Sequence, residues 1–181
     1  MNLAVKTAME SLPGGVRRSL PEAYWQLEGQ RLAALLHEWL AVERQRGEFF
    51  VCQREQDIDL ELGQLQLRLR VDRVDQLPDG SRVIIDYKSG TSKVQDWLGD
   101  RPARPQLLLY GIAAPDSAAA LAFAQIRPRD SRFVGLGRVA VAPGIHTDLP
   151  RVVKDSMPAD DWQSLNACWR NNLERLAQEF V

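Results

Sequence analysis

Cysteine and histidine are scarce in this sequence. Its 181 residues include only two cysteines, Cys52 and Cys168, which form no CxxC pair, and two histidines, His37 and His146. Zinc sites, iron–sulfur clusters and disulfide frameworks each need several such residues at characteristic spacings. The composition therefore argues against all three kinds of site, and two distant cysteines fit a reducing compartment.

Long apolar runs and a large net charge are absent as well. No segment has the pattern of a signal peptide or of a membrane-spanning helix, so we predict a cytoplasmic protein with no membrane partner. The formal net charge is −1, which provides no overall basic field of the kind that attracts nucleic acid. Only four of the 23 basic residues are lysine, however, and arginine suits bidentate contacts with phosphate. A local basic groove is therefore compatible with the composition.

The hydrophobic periodicity predicts a mixed α/β fold. A long helix is expected over residues 21–46, because apolar residues recur there at helical spacing and form a stripe that should pack on a sheet. The stripe contains Trp25, Leu32, Leu35, Leu36, Trp39 and Leu40. Three alternating segments, a short helix near Pro105, two apolar strands and a C-terminal amphipathic helix follow. This order predicts three antiparallel strands within a mixed sheet that helices flank.

The stretch LRLRVDRVDQLPDGSRVIIDYKSG predicts a β-hairpin. Its centre is a Pro-Asp-Gly turn, a common three-residue connection with glycine at the left-handed position. Residues equally distant from Asp79 should then face each other. This register pairs Asp72 with Asp86 and Arg70 with Lys88.

Period-2 alternation divides the hairpin into two faces. The polar face carries Arg70, Asp72, Asp86 and Lys88. The other face is predicted to be the core face, with Leu65, Leu67, Leu69 and Val71 against Val83, Ile85 and Tyr87. Facing carboxylates repel each other, so the arrangement is costly unless a divalent cation binds between them. The alternative is a solvated face on which Arg70 and Lys88 neutralise the two acids.

With the motifs VDRVD and IIDYKSG and the QxxxY spacing of Gln106 and Tyr110, the chain resembles the RecB-type nuclease domain of the PD-(D/E)XK phosphodiesterase superfamily. Such domains occur in the C-terminal region of AddB-like and RecB-like helicase-nuclease proteins. The resemblance covers roughly Glu48 to Ala114, and the preceding helix adds to it. It implies an α/β, restriction-endonuclease-like core in which an antiparallel hairpin of a mixed sheet carries the site and helices flank the sheet.

The resemblance also implies a metal site on the hairpin. Asp72 and Asp86 would bind Mg²⁺, for which Mn²⁺ can substitute, with help from the main-chain carbonyl of Tyr87. These are the hard oxygen ligands that Mg²⁺ prefers. Lys88 would orient or activate the attacking water, since two-residue spacing places it on the same face of the strand as Asp86.

Further residues are implied as DNA contacts. Gln106 and Tyr110, one helical turn apart, would reach the DNA strand or the water at the lysine, and Arg70 would add a contact from the hairpin. The alternative for the QxxxY pair is helix capping and core packing. The loop before the QxxxY helix, beside which members of the family often bind DNA, contains Trp97, Arg101 and Arg104. The alternative for Trp97 is a cover for the core.

The chain departs from the family pattern in its upstream helix. The segment ALLHEWL matches the family's GxxxHxxL motif in part, with His37 and Leu40 in place but Ala33 at the glycine position. The resemblance makes His37 a candidate metal ligand, and the alternative is a helix-surface histidine. Asp75 is expected on the opposite side of the sheet, beside Arg73, and Glu55 is a possible additional acid whose register the sequence does not fix.

The implied function is Mg²⁺-dependent, exonuclease-like hydrolysis of DNA in recombination and DNA repair. The expected partners are DNA and a helicase, either in the same polypeptide or in a partner subunit. A single nuclease domain is expected over residues 1–181, as a fragment of a larger DNA repair protein. It would comprise a lead-in (1–20), a helix (21–46), a catalytic core (48–127) and a C-terminal strand and helix (132–181).

Two alternative functions follow from the same residues. A catalytically silent DNA-binding or scaffold module could retain the fold, but a degenerate site would normally lose Asp72, Asp86 or Lys88, and all three are present. A free-standing restriction or repair endonuclease is disfavoured, because the sequence contains no apparent sequence-reading subdomain.

Overall fold

The computed structural model describes residues 3–114, 117–154 and 156–180. They form one six-stranded sheet with helices against both faces. The strands are β1 (Phe50–Leu62), β2 (Leu65–Gln76), β3 (Arg82–Lys88), β4 (Ala118–Gln125), β5 (Arg132–Gly137) and β6 (Ile145–His146). The helices are α1 (Leu3–Glu10), α2 (Gly14–Arg18), α3 (Glu22–Glu43), α4 (Gln106–Ala113), α5 (Leu149–Val153) and α6 (Trp162–Gln178), with a 3₁₀ turn at Val94–Trp97. None of the described helices is long and apolar enough to cross a membrane.

The strands lie in the sheet in the order in which they occur in the chain. β1, β2 and β3 form an antiparallel meander. α4 then crosses over so that β4 runs parallel to β3, while β4 and β5 are antiparallel and β5 and β6 are parallel. The predicted mixed sheet with an antiparallel hairpin is therefore confirmed.

One face of the sheet is covered by α4 and α6. Trp97 and Trp169 are fully buried there, and the indole N–H of Trp169 donates to the Trp97 carbonyl at 3.0 Å. The Phe123 ring of β4 lies 4.9 Å from the Trp97 ring. Asp161 and Ser164 form a capping box that fixes the start of α6. Trp97 thus belongs to the core, as its alternative interpretation held.

The opposite face is covered by the C-terminal part of α3. The Trp39 ring lies 4.9 Å from the Phe133 ring and 6.1 Å from the Tyr87 ring. The prediction that the whole apolar stripe of this helix packs on the sheet is wrong, because only Gly29 and Trp39 of α3 are buried. The first half of the helix lies against α1, whose Val5 is buried.

The turn-based register of the β2–β3 hairpin is confirmed near the turn, where Val74 pairs with Ile84 and Arg73 with Ile85. The paired register stops there, so the described hairpin does not form the predicted backbone pairs of Asp72 with Asp86 and of Arg70 with Lys88. The two strands separate at the point where the carboxylates lie.

The predicted core face of the hairpin is only half right. Val71 and Ile84 lie in the core under α4 and α6, but Val83 and Ile85 lie in the second core, with Trp39. Tyr87 is 37 % exposed. Both faces of the central sheet are covered, so the continuous apolar run of β3 supplies residues to two cores.

Candidate active site

The two candidate metal carboxylates lie where β2 and β3 separate. Asp86 is 1 % exposed, whereas Asp72 is half-buried. In place of a further backbone pair, the N–H of Tyr87 donates to Asp72 Oδ2 at 2.9 Å. One end of Asp72 is therefore fixed by the residue that follows Asp86.

Lys88 connects the carboxylates to α4. Its Nζ lies 2.6 Å from Asp86 Oδ2 and donates to Gln106 Oε1 at 3.3 Å. The lysine side chain is 28 % exposed, so its charge reaches the surface while one side of it contacts a buried acid. The predicted association of Asp86, Lys88 and Gln106 is present in the structure.

Tyr110 ties α4 to β2. Gln106 Nε2 donates to Tyr110 Oη at 2.9 Å, and the Tyr110 hydroxyl donates to the main-chain carbonyl of Arg70. Burial raises the pKa of Tyr110, which keeps the phenol protonated as a donor. Because Tyr110 is only 1 % exposed, its environment favours the core-packing interpretation over a direct DNA contact.

The electrostatics of Asp86 suit a cation ligand. Burial raises the pKa of Asp86 and the Asp72 carboxylate adds to this rise, while Lys88 and Arg104 oppose it. Lys88 Nζ forms an ion pair at 2.6 Å with the buried Oδ2, and its hydrogen bond is the largest influence that lowers the pKa of Asp86. A buried carboxylate beside a second carboxylate fits a divalent cation.

An open cleft of about 600 Å³ lies beside Lys88 and Gln106. Lys88, Arg104 and Gln106 supply its polar wall, and Phe123 and Leu109 supply apolar contacts. Arg104 Nε lies 3.5 Å from Asp96 Oδ2 in a partly exposed pair, so its charge remains near the cleft. The cleft is large enough for a nucleotide unit, which would lie beside Lys88.

Arg70 lies at the exposed edge of the site. Its Nε is 2.9 Å from Glu55 Oε2, and both side chains are more than 60 % exposed. Glu55 lies on β1 between the partners of Arg73 and Val71, which places it at the level of Asp72. Its backbone is left-handed, with φ of 49°, a conformation that costs a non-glycine residue free energy. A regular alternation pattern gives no signal of this irregularity.

The structure does not bring His37 to the carboxylates. His37 is exposed on α3, whereas Trp39 of the same helix turns into the core. Among the described residues, no group of three or more His, Cys, Asp or Glu side chains is close enough to hold a metal ion. Asp72 and Asp86 therefore lie near each other without the imidazole that the resemblance implies.

The opposite face of the hairpin carries a buried ionic network. Asp75 is fully buried, and its carboxylate lies 2.6 Å from Arg46 Nη1 and 2.7 Å from Arg73 Nε. Arg73 also contacts Glu43 at 2.7 Å and donates to Tyr87 Oη at 3.0 Å. The predicted position of Asp75 beside Arg73 is confirmed.

The sequence interpretation missed the links from this network to α3. Arg46 Nη1 lies 3.0 Å from Glu43 Oε2 as well as close to Asp75, so the end of the helix is joined to β2. Arg73 and Tyr87, the chain neighbours of Asp72 and Asp86, are joined on this face. The only signal in the sequence was the strand alternation at Asp75. This residue is three positions from Asp72, which placed an acid on the opposite, otherwise apolar face of the sheet.

The chain was also compared with known proteins. No curated protein matches it significantly. The family model described as the PD-(D/E)XK nuclease superfamily matches residues 3–181, which is nearly the entire sequence. The six-stranded mixed sheet of the chain, flanked by helices, is consistent with the restriction-endonuclease-like fold of that family. The chain therefore belongs to the PD-(D/E)XK nuclease superfamily.

Proposed function

We propose that the protein is a deoxyribonuclease that depends on a divalent metal ion, with Mg²⁺ as the natural ion and Mn²⁺ as a substitute. The observation that carries the proposal is the buried Asp86 carboxylate, which lies beside Asp72 and forms an ion pair at 2.6 Å with the Lys88 ammonium group. Family membership supports phosphodiester chemistry. DNA as the substrate and exonuclease-like cleavage are the finer parts of the proposal.

Three groups would hold the ion: the carboxylates of Asp72 and Asp86 and the main-chain carbonyl of Tyr87. The ion, when bound, supplies positive charge that stabilises the phosphate during displacement and favours ionisation of water. The Tyr87 N–H fixes Asp72 Oδ2, which leaves Oδ1 free for coordination. Asp86 is held rigidly because it lies in a buried strand.

Lys88 and Gln106 would position the attacking water and the scissile phosphate. Gln106 Oε1 accepts from Lys88 Nζ, and Tyr110 Oη accepts from Gln106 Nε2, so the ammonium group is oriented through a chain of hydrogen bonds. A positively charged donor held in this way stabilises negative charge that develops on the phosphate oxygens. Tyr110 would act as a positioning residue, and Arg70 and Gln106 would contact the DNA strand at the mouth of the site.

We further propose that the domain works in recombination and DNA repair, as part of a helicase-nuclease protein or beside a helicase subunit. The RecB-type motifs around Asp72, Asp86 and Gln106 support this context. The residues 1–181 would form one nuclease domain of a larger DNA repair protein. His37 stays a candidate ligand only if α3 changes its position when the ion binds.

Metal binding and catalysis can be tested separately. Mn²⁺ at millimolar concentration should raise the melting temperature of the wild type, because an ion that binds only the folded state stabilises it. Asp86→Asn should abolish this rise. Lys88→Ala should keep the rise but lose cleavage of single- and double-stranded oligonucleotides by about 100-fold or more, the range of general acid–base contributions.

Gln163→Ala, an exposed change at the start of α6, serves as the control and should behave as the wild type. A rise in melting temperature that survives in Asp86→Asn would place the ion elsewhere. Wild-type protein that binds Mn²⁺ and DNA but does not cleave any substrate would support the silent DNA-binding module instead.

A further inference from the structure

A row of polar residues crosses the sheet from the candidate catalytic lysine. Lys88 of β3 is paired with Gln125 of β4, and Gln125 is paired with Arg132 of β5. Residues opposite each other in a sheet project from the same face. Arg132 therefore emerges on the same face as Lys88, two strand spacings away, or about 10 Å.

A groove of about 880 Å³ lies at this end of the sheet, beyond Arg132. We call it the Lys93 groove. Its cationic lining residues are Lys93, Arg132 and Arg151, with the imidazole of His146 beside them, and Asp148 is the one carboxylate that lines it among the described residues. That carboxylate caps α5 by accepting the Arg151 N–H. The groove therefore has a net positive charge, although the chain as a whole has none.

The cations of the groove are available to a ligand. Within the part of the chain that the structure describes, the side chains of Lys93 and Arg151 form no ion pair. Arg132 lies 3.3 Å from Asp130, but its side chain is 54 % exposed, and exposed pairs of this kind contribute little free energy. An anion could therefore replace Asp130 as the partner of Arg132 with little loss of free energy.

The loop that separates the Lys93 groove from the catalytic cleft is held in place. The Ser92 N–H donates to the fully buried Gln125 Oε1 at 2.8 Å, and Arg127 Nη1 donates to Thr91 Oγ1 at 2.5 Å. Gln125 Nε2 is held in turn by the Asp130 carboxylate at 2.9 Å. The distance between Lys88 and the groove is therefore fixed by the sheet and by this loop.

The exposed chemistry of the groove is that of phosphate recognition. Of its apolar lining residues, Val94, Phe133 and Ile145 are less than 10 % exposed and the valines Val134 and Val152 are half-buried, so no phenyl, phenol or indole ring is presented for stacking on a base. The Ser92 hydroxyl, which also lines the groove, is buried and has no hydrogen-bond partner among the described residues. Exposed arginine and lysine donors without a phenyl, phenol or indole platform match a sugar-phosphate backbone and read no sequence.

We propose that the Lys93 groove binds backbone phosphates of the substrate strand a few nucleotides from the scissile bond. This inference rests on the proposed nuclease function, since it assigns the groove to the same DNA strand that occupies the cleft. Lys93, Arg132 and Arg151 would then set the affinity for long substrates without touching the reacting phosphate. A substrate too short to extend beyond the catalytic cleft would not contact these three residues.

The test compares two triple variants with the same change in charge. Lys93→Ala/Arg132→Ala/Arg151→Ala removes the groove cations, and Lys6→Ala/Arg17→Ala/Arg18→Ala removes one lysine and two arginines from α1 and α2. Binding of a labelled 20-nucleotide single strand is measured by fluorescence anisotropy in EDTA, at several salt concentrations. The groove variant should bind at least about 10-fold more weakly, with a salt slope smaller by about 2, whereas the control should change little.

Cleavage by the two variants in Mn²⁺ completes the test. The groove variant should lose cleavage of the long strand at sub-saturating concentration but hydrolyse a nitrophenyl ester of thymidine monophosphate at the wild-type rate. Equal weakening of binding by both variants, or unchanged binding by the groove variant, would overturn the inference. Equally tight, groove-dependent binding of polyglutamate would also overturn it, because the groove would then favour acidic protein segments.

The two proposals fail in distinguishable ways. If the wild type cleaves no substrate but the groove variant still shows weaker, less salt-dependent binding than the control, the groove is supported and the nuclease proposal is contradicted. If the wild type cleaves DNA and the groove variant binds the strand as the control does, the nuclease proposal is supported and the groove proposal is contradicted.

Discussion

The ionised carboxylate of Asp86 has a free-energy cost of burial that no neighbouring residue fully offsets. This carboxylate is buried and lies near a second carboxylate, while Lys88, 2.6 Å away, provides the nearest positive charge. A residue in such a position is explained more readily by ligand binding than by stability, since perturbed carboxylates concentrate at functional sites. The environment of Asp86 therefore supports the proposed metal site.

The first residue-scale prediction is that Asp86→Asn stabilises the metal-free protein at neutral pH. The raised pKa means that the folded protein binds a proton at Asp86 more readily than the unfolded chain does, so ionised Asp86 lowers the free energy of unfolding. The gain should be largest above the folded-state pKa and disappear as the pH falls towards about 3.9, the ordinary value of aspartate. Each kcal/mol corresponds to about 2–4 °C in melting temperature for a chain of this size.

The measurement is thermal unfolding of both proteins in EDTA between pH 4 and pH 8. Saturating Mn²⁺ should reverse the order, because only the wild type gains from the ion. A variant that is less stable than the wild type at pH 7 in EDTA would show that the Lys88 ion pair outweighs the cost of burial.

A second residue-scale prediction concerns His37. Because this side chain is exposed and apart from the two carboxylates, we expect His37→Ala to keep the Mn²⁺-induced rise in melting temperature and to retain cleavage within about three-fold. Titration calorimetry with Mn²⁺ and an oligonucleotide cleavage assay provide the measurements. Loss of both properties in a folded variant would restore the ligand role that the GxxxHxxL resemblance implies.

At the scale of elements, the connection between α3 and the hairpin depends on the buried network around Asp75. Asp75→Asn removes the carboxylate that pairs with Arg46 and Arg73, whose side chains are 1 % and 12 % exposed. Breaking one partner of a buried pair typically costs about 3–5 kcal/mol, because the other charge stays buried without compensation. We expect a loss of that size in the free energy of unfolding, measured by urea denaturation.

Asp57→Asn is the matched control for this change. Asp57 pairs with Arg68 across β1 and β2 at 3.3 Å, but both side chains are more than half exposed, so the loss should stay below about 1 kcal/mol. Similar losses in the two variants would mean that the Asp75 network contributes no more than a surface pair.

The elements themselves could be predicted from the sequence, but their faces could not. Alternation predicted the strands, and the Pro-Asp-Gly turn predicted the register, because both depend on a few adjacent residues. Ile84 and Ile85 are equally apolar and enter opposite cores, so their sequence carries no information about which face is which. In the same way, the spacing of Leu32 and Leu36 predicted a helix without indicating that only its far end meets the sheet.

The candidate site was predictable to the extent that it lies on one hairpin and one helix. Asp86 and Lys88 share a strand, and Gln106 begins the next helix, so local spacing was sufficient to predict that they lie close together. The Tyr110 contact with the Arg70 carbonyl joins segments 40 residues apart, and the position of His37 depends on how a whole helix docks. Tertiary packing decides such contacts, and spacing does not report it.

At the scale of the whole molecule, burial is unevenly distributed. In α1, α2 and α3 only Val5, Gly29 and Trp39 are buried, whereas every residue of β4 is buried. Local opening is easiest where few apolar contacts hold the backbone. We expect amides over residues 3–35 to exchange with deuterium at least about ten-fold faster than those of β3 and β4 at neutral pH.

Hydrogen-exchange mass spectrometry at two protein concentrations provides the measurement. Protection of residues 3–35 that equals that of the sheet would contradict the expectation. If that protection appears only at the higher concentration, self-association covers these helices.

The hairpin of β2 and β3 also has a consequence for the order of folding. Asp72 and Tyr87 are only 15 residues apart in the chain, while β4 can join β3 only after the α4 crossover is complete. Local pairings tend to form before distant ones, because they close shorter loops. We therefore expect the two carboxylates to meet while the chain is still largely unfolded, and their mutual repulsion then slows an early step of folding. An ion that neutralised them would therefore speed this early step of folding.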